Sequence, residues 1–180
     1  NRGAIAYFFE SIWPELVCRV KHLQIDVVGK NPPAWLVELS QRDSRVHVPG
    51  FVDDVRPYFQ KATIFVCPIT DGGGTRLKIL DALAMGMPVV STTFAASGLQ
   101  LVNEEHLLLA DTVDQFVAST MRFLSSKLLR EDVARRGYQS IHAQYSWDVI
   151  GRKLSRAYEC AHARYLAESK KSFQTQSHKG

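Results

Sequence analysis

The chain has 180 residues, 46% of them hydrophobic and 22% charged, which is enough for one domain with a sizeable core and too apolar for a mainly disordered chain. A net charge of +4 is mild, draws on Lys170, Lys171 and Lys179 near the end, and comes without the clustered basic face of a nucleic-acid binder. No apolar run approaches the roughly 18–20 residues of a membrane span, and the widely spaced Cys18, Cys67 and Cys160 fit a reducing, cytoplasmic setting better than a disulfide framework.

The opening Asn1-Arg2-Gly3 carries no secretory leader pattern, and the missing initiator Met reads as a fragment or processed piece. Residues 4–20 repeat apolar side chains at three and four (Ile5, Phe8, Phe9, Ile12, Trp13, Leu16, Val17), which predicts a helix kinked at Pro14. Leu23 to Gly29 reads as a strand, Pro32-Pro33 open a short helix with Trp35, Leu36 and Leu39, and Val46-His47-Val48 is a short strand closed by Pro49-Gly50. Asp53 is the expected N-cap of a helix through Gln60. Thr63 to Cys67 is a continuous β-branched and apolar run, the mark of a strand buried on both faces. After Asp71-Gly72-Gly73-Gly74-Thr75 a helix starts near Arg76 and stops at Gly86, with Pro88 beyond it. Val89 to Thr92 is the next strand, Phe94 to Gly98 a small-residue loop, and Leu107 to Leu109 another buried strand. Asp111 is the expected cap of a helix carrying Val113, Phe116, Val117, Met121 and Leu124, and helices follow at about 128–143 and 147–167. From Glu168 the chain is polar and aperiodic, so 1–167 reads as one domain and 168–180 as a disordered tail. Trp13, Trp35 and Trp147 read as core anchors.

Strand and helix alternate, the pattern of an α/β protein with an open parallel sheet covered by helices on both faces. The first element is a helix with no strand to feed it, so the sheet is expected to lack its first strand. Such a sheet binds ligands at the carboxyl ends of its strands. The stretch Pro68 to Thr92 sits at such an end. Glycines without Cβ let the backbone turn to positive φ and aim its N–H groups at phosphate oxygens. The following helix adds the positive end of its dipole. Arg76 and Lys78 in its first turn are unfavourable for the helix alone and make sense opposite a diphosphate. Thr75 can cap the helix, and Asp81, roughly 7–8 Å further along at 1.5 Å per residue, can accept from a ribose diol. The loop is neither a P-loop nor a clean G-x-G-x-x-G. A glycine turn beside solvated charges accounts for the same residues.

Thr75 to Thr92 resembles the donor-nucleotide segment of GT-B glycosyltransferases of group 1, the GT4-like family. Val28-Gly29-Lys30, Val48 to Asp54 and Tyr145-Ser146-Trp147-Asp148 are similar to further motifs of that family, in the same order. The resemblance implies a Rossmann-like donor-binding domain, the C-terminal half of a two-domain enzyme. It implies retaining transfer from a nucleotide-diphosphate sugar to an acceptor held by an N-terminal domain, without a metal or other cofactor. The full-length enzyme is expected to be cytoplasmic with peripheral membrane association, and this chain alone to be inactive. Arg76 and Lys78 would then neutralise the departing diphosphate, and Gly72, Gly73 and Gly74 would donate backbone N–H groups. Asp81 stands where the second acid of the family's E-x7-E motif contacts ribose, one methylene shorter than the usual Glu. The first acid falls on Gly73, so Asp71 is the candidate for the donor sugar. Gly29 and Lys30 would lie near the phosphates, Phe51 and Val52 along the base, and Ser97, Gly98 and Leu99 by the same crevice. His47 and His106 lack partners at metal-ligand spacing. A non-catalytic nucleotide-sugar-binding module and a GT-B nucleotide-sugar epimerase remain as alternatives. Gly73 favours the first, and the lack of a carboxylate–histidine pair at a strand end argues against the second.

Overall fold

A computed structural model describes residues 2–72 and 76–176, with side chains through Leu166. The chain divides into two compact units, Asn1–Ser140 and Ile141–Gly180. The first begins with α1 (Arg2–Tyr7) and α2 (Trp13–Arg19), joined through a π-helical turn at Phe8–Ile12. The expected kink at Pro14 takes this form: proline sits in the first turn of α2, where its missing N–H costs least, and the wide turn absorbs the change of register before it. The turn brings Phe8, Phe9 and Trp13 together, with Phe8 edge-on to Phe9 at 5.4 Å and Phe9 5.9 Å from Trp13.

The strands are β1 (Ile25–Val28), β2 (Val46–Gly50), β3 (Phe65–Cys67), β4 (Val89–Ser91) and β5 (Leu108–Leu109). Between them run α3 (Ala34–Arg42), α4 (Arg56–Lys61), α5 (Leu77–Ala84) and α6 (Thr93–Ala96), and α7 (Val113–Ser125) follows β5. Every pairing is parallel. The fold is α/β and Rossmann-like, but its strands form two groups, β1–β2 and β3–β4–β5. One core joins both groups: Ile12, Leu16, Leu36 and Val46 pack with Val90, Leu108, Phe116 and Phe123, all essentially without solvent exposure.

Several local expectations are corrected. The helix expected from Asp53 starts at Arg56, where the Asp54 carboxylate, not that of Asp53, accepts from the Arg56 N–H at 2.9 Å. Part of the loop expected at 94–98 is helical: Thr92 caps α6 by accepting from the Ala95 N–H at 3.0 Å. Thr112, not Asp111, caps α7, in a capping box whose return partner is Gln115. The Asp111 carboxylate instead accepts from the Thr93 N–H at 2.7 Å and its hydroxyl at 2.6 Å. Trp13 is a core anchor, but Trp35 is 40% and Trp147 87% exposed.

Helix α8 (Lys127–Tyr145) starts in the first unit and ends in the second, which continues as α9 (Trp147–Gln176). The α9 backbone is helical past Glu168, within the segment that composition reads as a tail. Its apolar residues Leu154, Tyr158 and Tyr165 are well exposed.

Candidate functional site

The carboxyl ends of β3 and β4 are tied together. The Thr92 N–H donates to the Cys67 carbonyl at 3.3 Å, and the Thr92 hydroxyl donates to the Ile69 carbonyl. The loop leaving β3 reaches Gly72 at φ 106°, a conformation that suits glycine alone. Gly73, Gly74 and Thr75 lie outside the described residues. The chain re-enters at Arg76, which is the N-cap of α5, the position proposed for Thr75. Helix α5 holds its place by burying Ile79, Ala82 and Leu83. Past its last residue, Ala84, Gly86 turns at φ 69°, where Gly86 donates to the Leu83 carbonyl and Met87 to the Ala82 carbonyl.

Burial fixes which side chains of α5 face outward: Lys78 and Asp81 are both exposed. Arg76 is half-buried and spans to the segment after α6. Its Nη2 donates to the Ser97 Oγ at 2.8 Å and its Nε to the Ser97 carbonyl at 3.3 Å. Its guanidinium carbon lies 5.0 Å from the centre of the Phe94 ring. Burial pushes the Cys67 thiol up, opposed in part by the Ile69 N–H, the Lys78 charge, Ser91 and the Arg76 charge. Both cations of α5 are therefore felt at the end of β3.

Another group stands at the ends of β1 and β2. The Gly29 N–H donates to the Gly50 carbonyl at 2.9 Å, and the Lys30 ammonium lies 4.4 Å from the centre of the Phe51 ring. Phe51 is 59% exposed, far from a core side chain, and Val52 is half-buried. Of the sequence candidates, the structure thus joins Arg76 with Ser97, and Lys30 with Phe51. Asp71 is exposed, and a Cβ added at Gly3 would lie 4.0 Å from its Oδ1. The start of α1 at Gly3 therefore lies near Asp71, and Arg2 just before it is an exposed cation outside the sequence candidates. Its signal was available: a basic residue followed by glycine at the entry of the first helix. Among the described residues no group of three His, Cys, Asp or Glu side chains is placed to hold a metal ion. His47 pairs with Asp26 at 3.4 Å, and the Val102 N–H donates to the His106 Nδ1 at 3.0 Å.

Parallel strands with helical crossovers define a Rossmann-like α/β domain. Residues 1–126 match the family model of the glycosyl transferases group 1, and the chain belongs to that family. It is similar to a lipopolysaccharide core biosynthesis glycosyltransferase of Rhizobium meliloti, 29% identical over 146 residues, covering 72% of this chain and 43% of the relative. It is also similar to a phosphatidyl-myo-inositol mannosyltransferase of Mycobacterium tuberculosis, 25% identical over 167 residues, covering 88% and 44%. The chain spans less than half the length of these curated relatives. Among solved structures, the C-terminal domain of a group 1 glycosyl transferase (LpcC) from Francisella tularensis superposes with a TM-score of 0.64 at 19% identity, covering 77% of this chain and 82% of that one. HepE from Anabaena, determined in complex with UDP, gives a TM-score of 0.71 at 13% identity, covering 84% and 44%. Among the described residues no helix is long and apolar enough to cross a membrane.

Proposed function

We propose that the chain is the donor-binding half of a group 1 glycosyltransferase of the GT4-like kind. It takes a nucleotide-diphosphate sugar for retaining transfer to an acceptor held by another domain. The observation that carries this reading is the end of β3: a glycine forced to φ 106°, then α5 opening with Arg76 and Lys78, tied through Thr92 to the end of β4. Backbone N–H groups of Gly72 to Gly74 hold phosphate oxygens, Lys78 neutralises the departing diphosphate, and Asp81 takes the ribose diol. Phe51 and Val52 line the base, Lys30 approaches the phosphates, and Asp71 approaches the donor sugar. Ser97 to Leu99 wall the crevice. No metal is needed, because cations of the chain supply the charge. HepE, a structural neighbour determined with UDP, supports the choice of ligand class. An additional parallel strand between β1 and β3 would complete the sheet. The acceptor half lies in another domain, so the 180-residue chain binds donor without turning it over.

The test is a thermal-shift panel of UDP, GDP, ADP and TDP with their sugar forms. A ligand at about 100 times its Kd stabilises by about 2.7 kcal/mol. Lys78→Ala then weakens nucleoside diphosphate and spares nucleoside, whereas Asp81→Ala weakens both. If no nucleotide stabilises the chain, the reading is wrong.

A further inference from the structure

The contacts of Arg76 are unusual for a phosphate-facing cation. Two of its nitrogens are spent on Ser97, 21 residues away, on the carbonyl and the hydroxyl of the same residue. Ser97 is held from its other side, since its hydroxyl donates to the Phe94 carbonyl at 2.8 Å and its N–H to that carbonyl at 3.2 Å. The next residue but one is also fixed, Leu99 donating to the Ala96 carbonyl at 3.2 Å. Gly98 lies between these anchors, exposed, at φ 83°. Among the described residues no group accepts from its N–H. A left-handed glycine with an open backbone donor, clamped on both sides beside the start of α5, is built to present that donor outward.

We infer that Arg76 is a positioning residue: through Ser97 it holds the Gly98 N–H toward the diphosphate of the bound nucleotide, and Lys78 supplies the facing charge. This rests on the nucleotide-diphosphate reading. The two contacts come from two nitrogens, Nε and Nη2, held in one rigid plane, a spacing that the single nitrogen of an ammonium on its flexible stem does not reproduce. Charge alone therefore does not replace Arg76.

Calorimetry with UDP, GDP, ADP and TDP on the full chain decides it, with fold checked by circular dichroism. Arg76→Lys, Arg76→Ala and Ser97→Ala each weaken the binding nucleoside diphosphate about tenfold, in the range for losing a hydrogen bond to a charged group. The double variant Arg76→Ala/Ser97→Ala is no weaker than either single change, because both break one clamp. Arg76→Lys leaves the salt dependence of binding as in the parent, whereas Lys78→Ala flattens it. In the parent the Gly98 amide resonance shifts when nucleotide is added, and in Arg76→Lys it does not. An Arg76→Lys variant that binds like the parent, additive losses in the double variant, or an unmoved Gly98 resonance overturns the inference while leaving the nucleotide reading intact. A parent that binds none of the four nucleotides overturns both.

Discussion

Gly137 sits in α8, where alanine would ordinarily be the better helix residue by about 1 kcal/mol. Here the outcome is reversed by what surrounds it. A Cβ at Gly137 would lie 2.6 Å from the His106 carbonyl oxygen and 2.7 Å from the Leu83 Cδ2. Both are well inside ordinary contact. The first is backbone, in the turn that precedes β5, and the second belongs to a fully buried side chain of α5. Neither can swing aside as the end of a long surface side chain would. Overpacking of this sort costs about 1–3 kcal/mol, and a backbone obstacle belongs at the upper end. Subtracting the helix gain leaves Gly137→Ala destabilised by about 1–2 kcal/mol, or about 2–8 °C in Tm for a domain of this size. Urea unfolding followed by circular dichroism measures it, with an unchanged slope showing that the native state alone is affected. A Gly137→Ala chain as stable as the parent or more so would show that α8 does not approach His106 so closely, and the packing argument would fall.

Two further outcomes follow from titratable groups. The Arg45 guanidinium and N–H hold the Asp43 carboxyl below its ordinary value, so the pair stabilises fully above the unfolded carboxylate pKa of about 4 and is lost as pH falls through the lower folded value. Asp43→Asn should therefore flatten the acid limb of a stability–pH curve, and a limb as steep as the parent's would refute the assignment. Burial raises the Cys67 thiol while Cys18 and Cys160 are exposed. Under native conditions at mildly alkaline pH, an alkylating reagent followed by mass spectrometry should modify Cys18 and Cys160 well before Cys67. Equal labelling of all three would count against the burial of Cys67.

Much of the frame was legible because it depends on short-range pattern. The apolar run at Thr63–Cys67 contains β3, although Cys67 alone of that strand is fully buried, and α5 ends at Ala84, two residues before Gly86. What failed depends on distance or on choice among equals. Asp111 and Thr112 are both good caps, and Gln115 three residues beyond Thr112 decides between them, a signal present in the sequence. Asp53 and Asp54 posed the same choice, settled by which carboxylate reaches the Arg56 N–H. Helix α6 has four residues, too few to show a period. Trp147 was misread because periodicity identifies a face without saying whether anything covers it.

The candidate site divides along the same line. Glycines after an apolar strand and cations in a first turn are local features, so Gly72, Lys78 and Asp81 could be nominated from spacing alone. Their surroundings are set by ties between distant segments: Arg76 to Ser97 and Thr92 to Ile69. Those ties separate cations that sequence treats alike. Arg76 and Lys78 stand two residues apart in one helical turn, yet Arg76 is committed to Ser97 and the Phe94 ring while Lys78 points outward. A charge engaged by its own fold acts through what it holds in place, and an exposed one acts on what arrives. The difference between the two side chains thus comes from the tertiary structure acting on a motif that, read by itself, offers two equivalent positive charges.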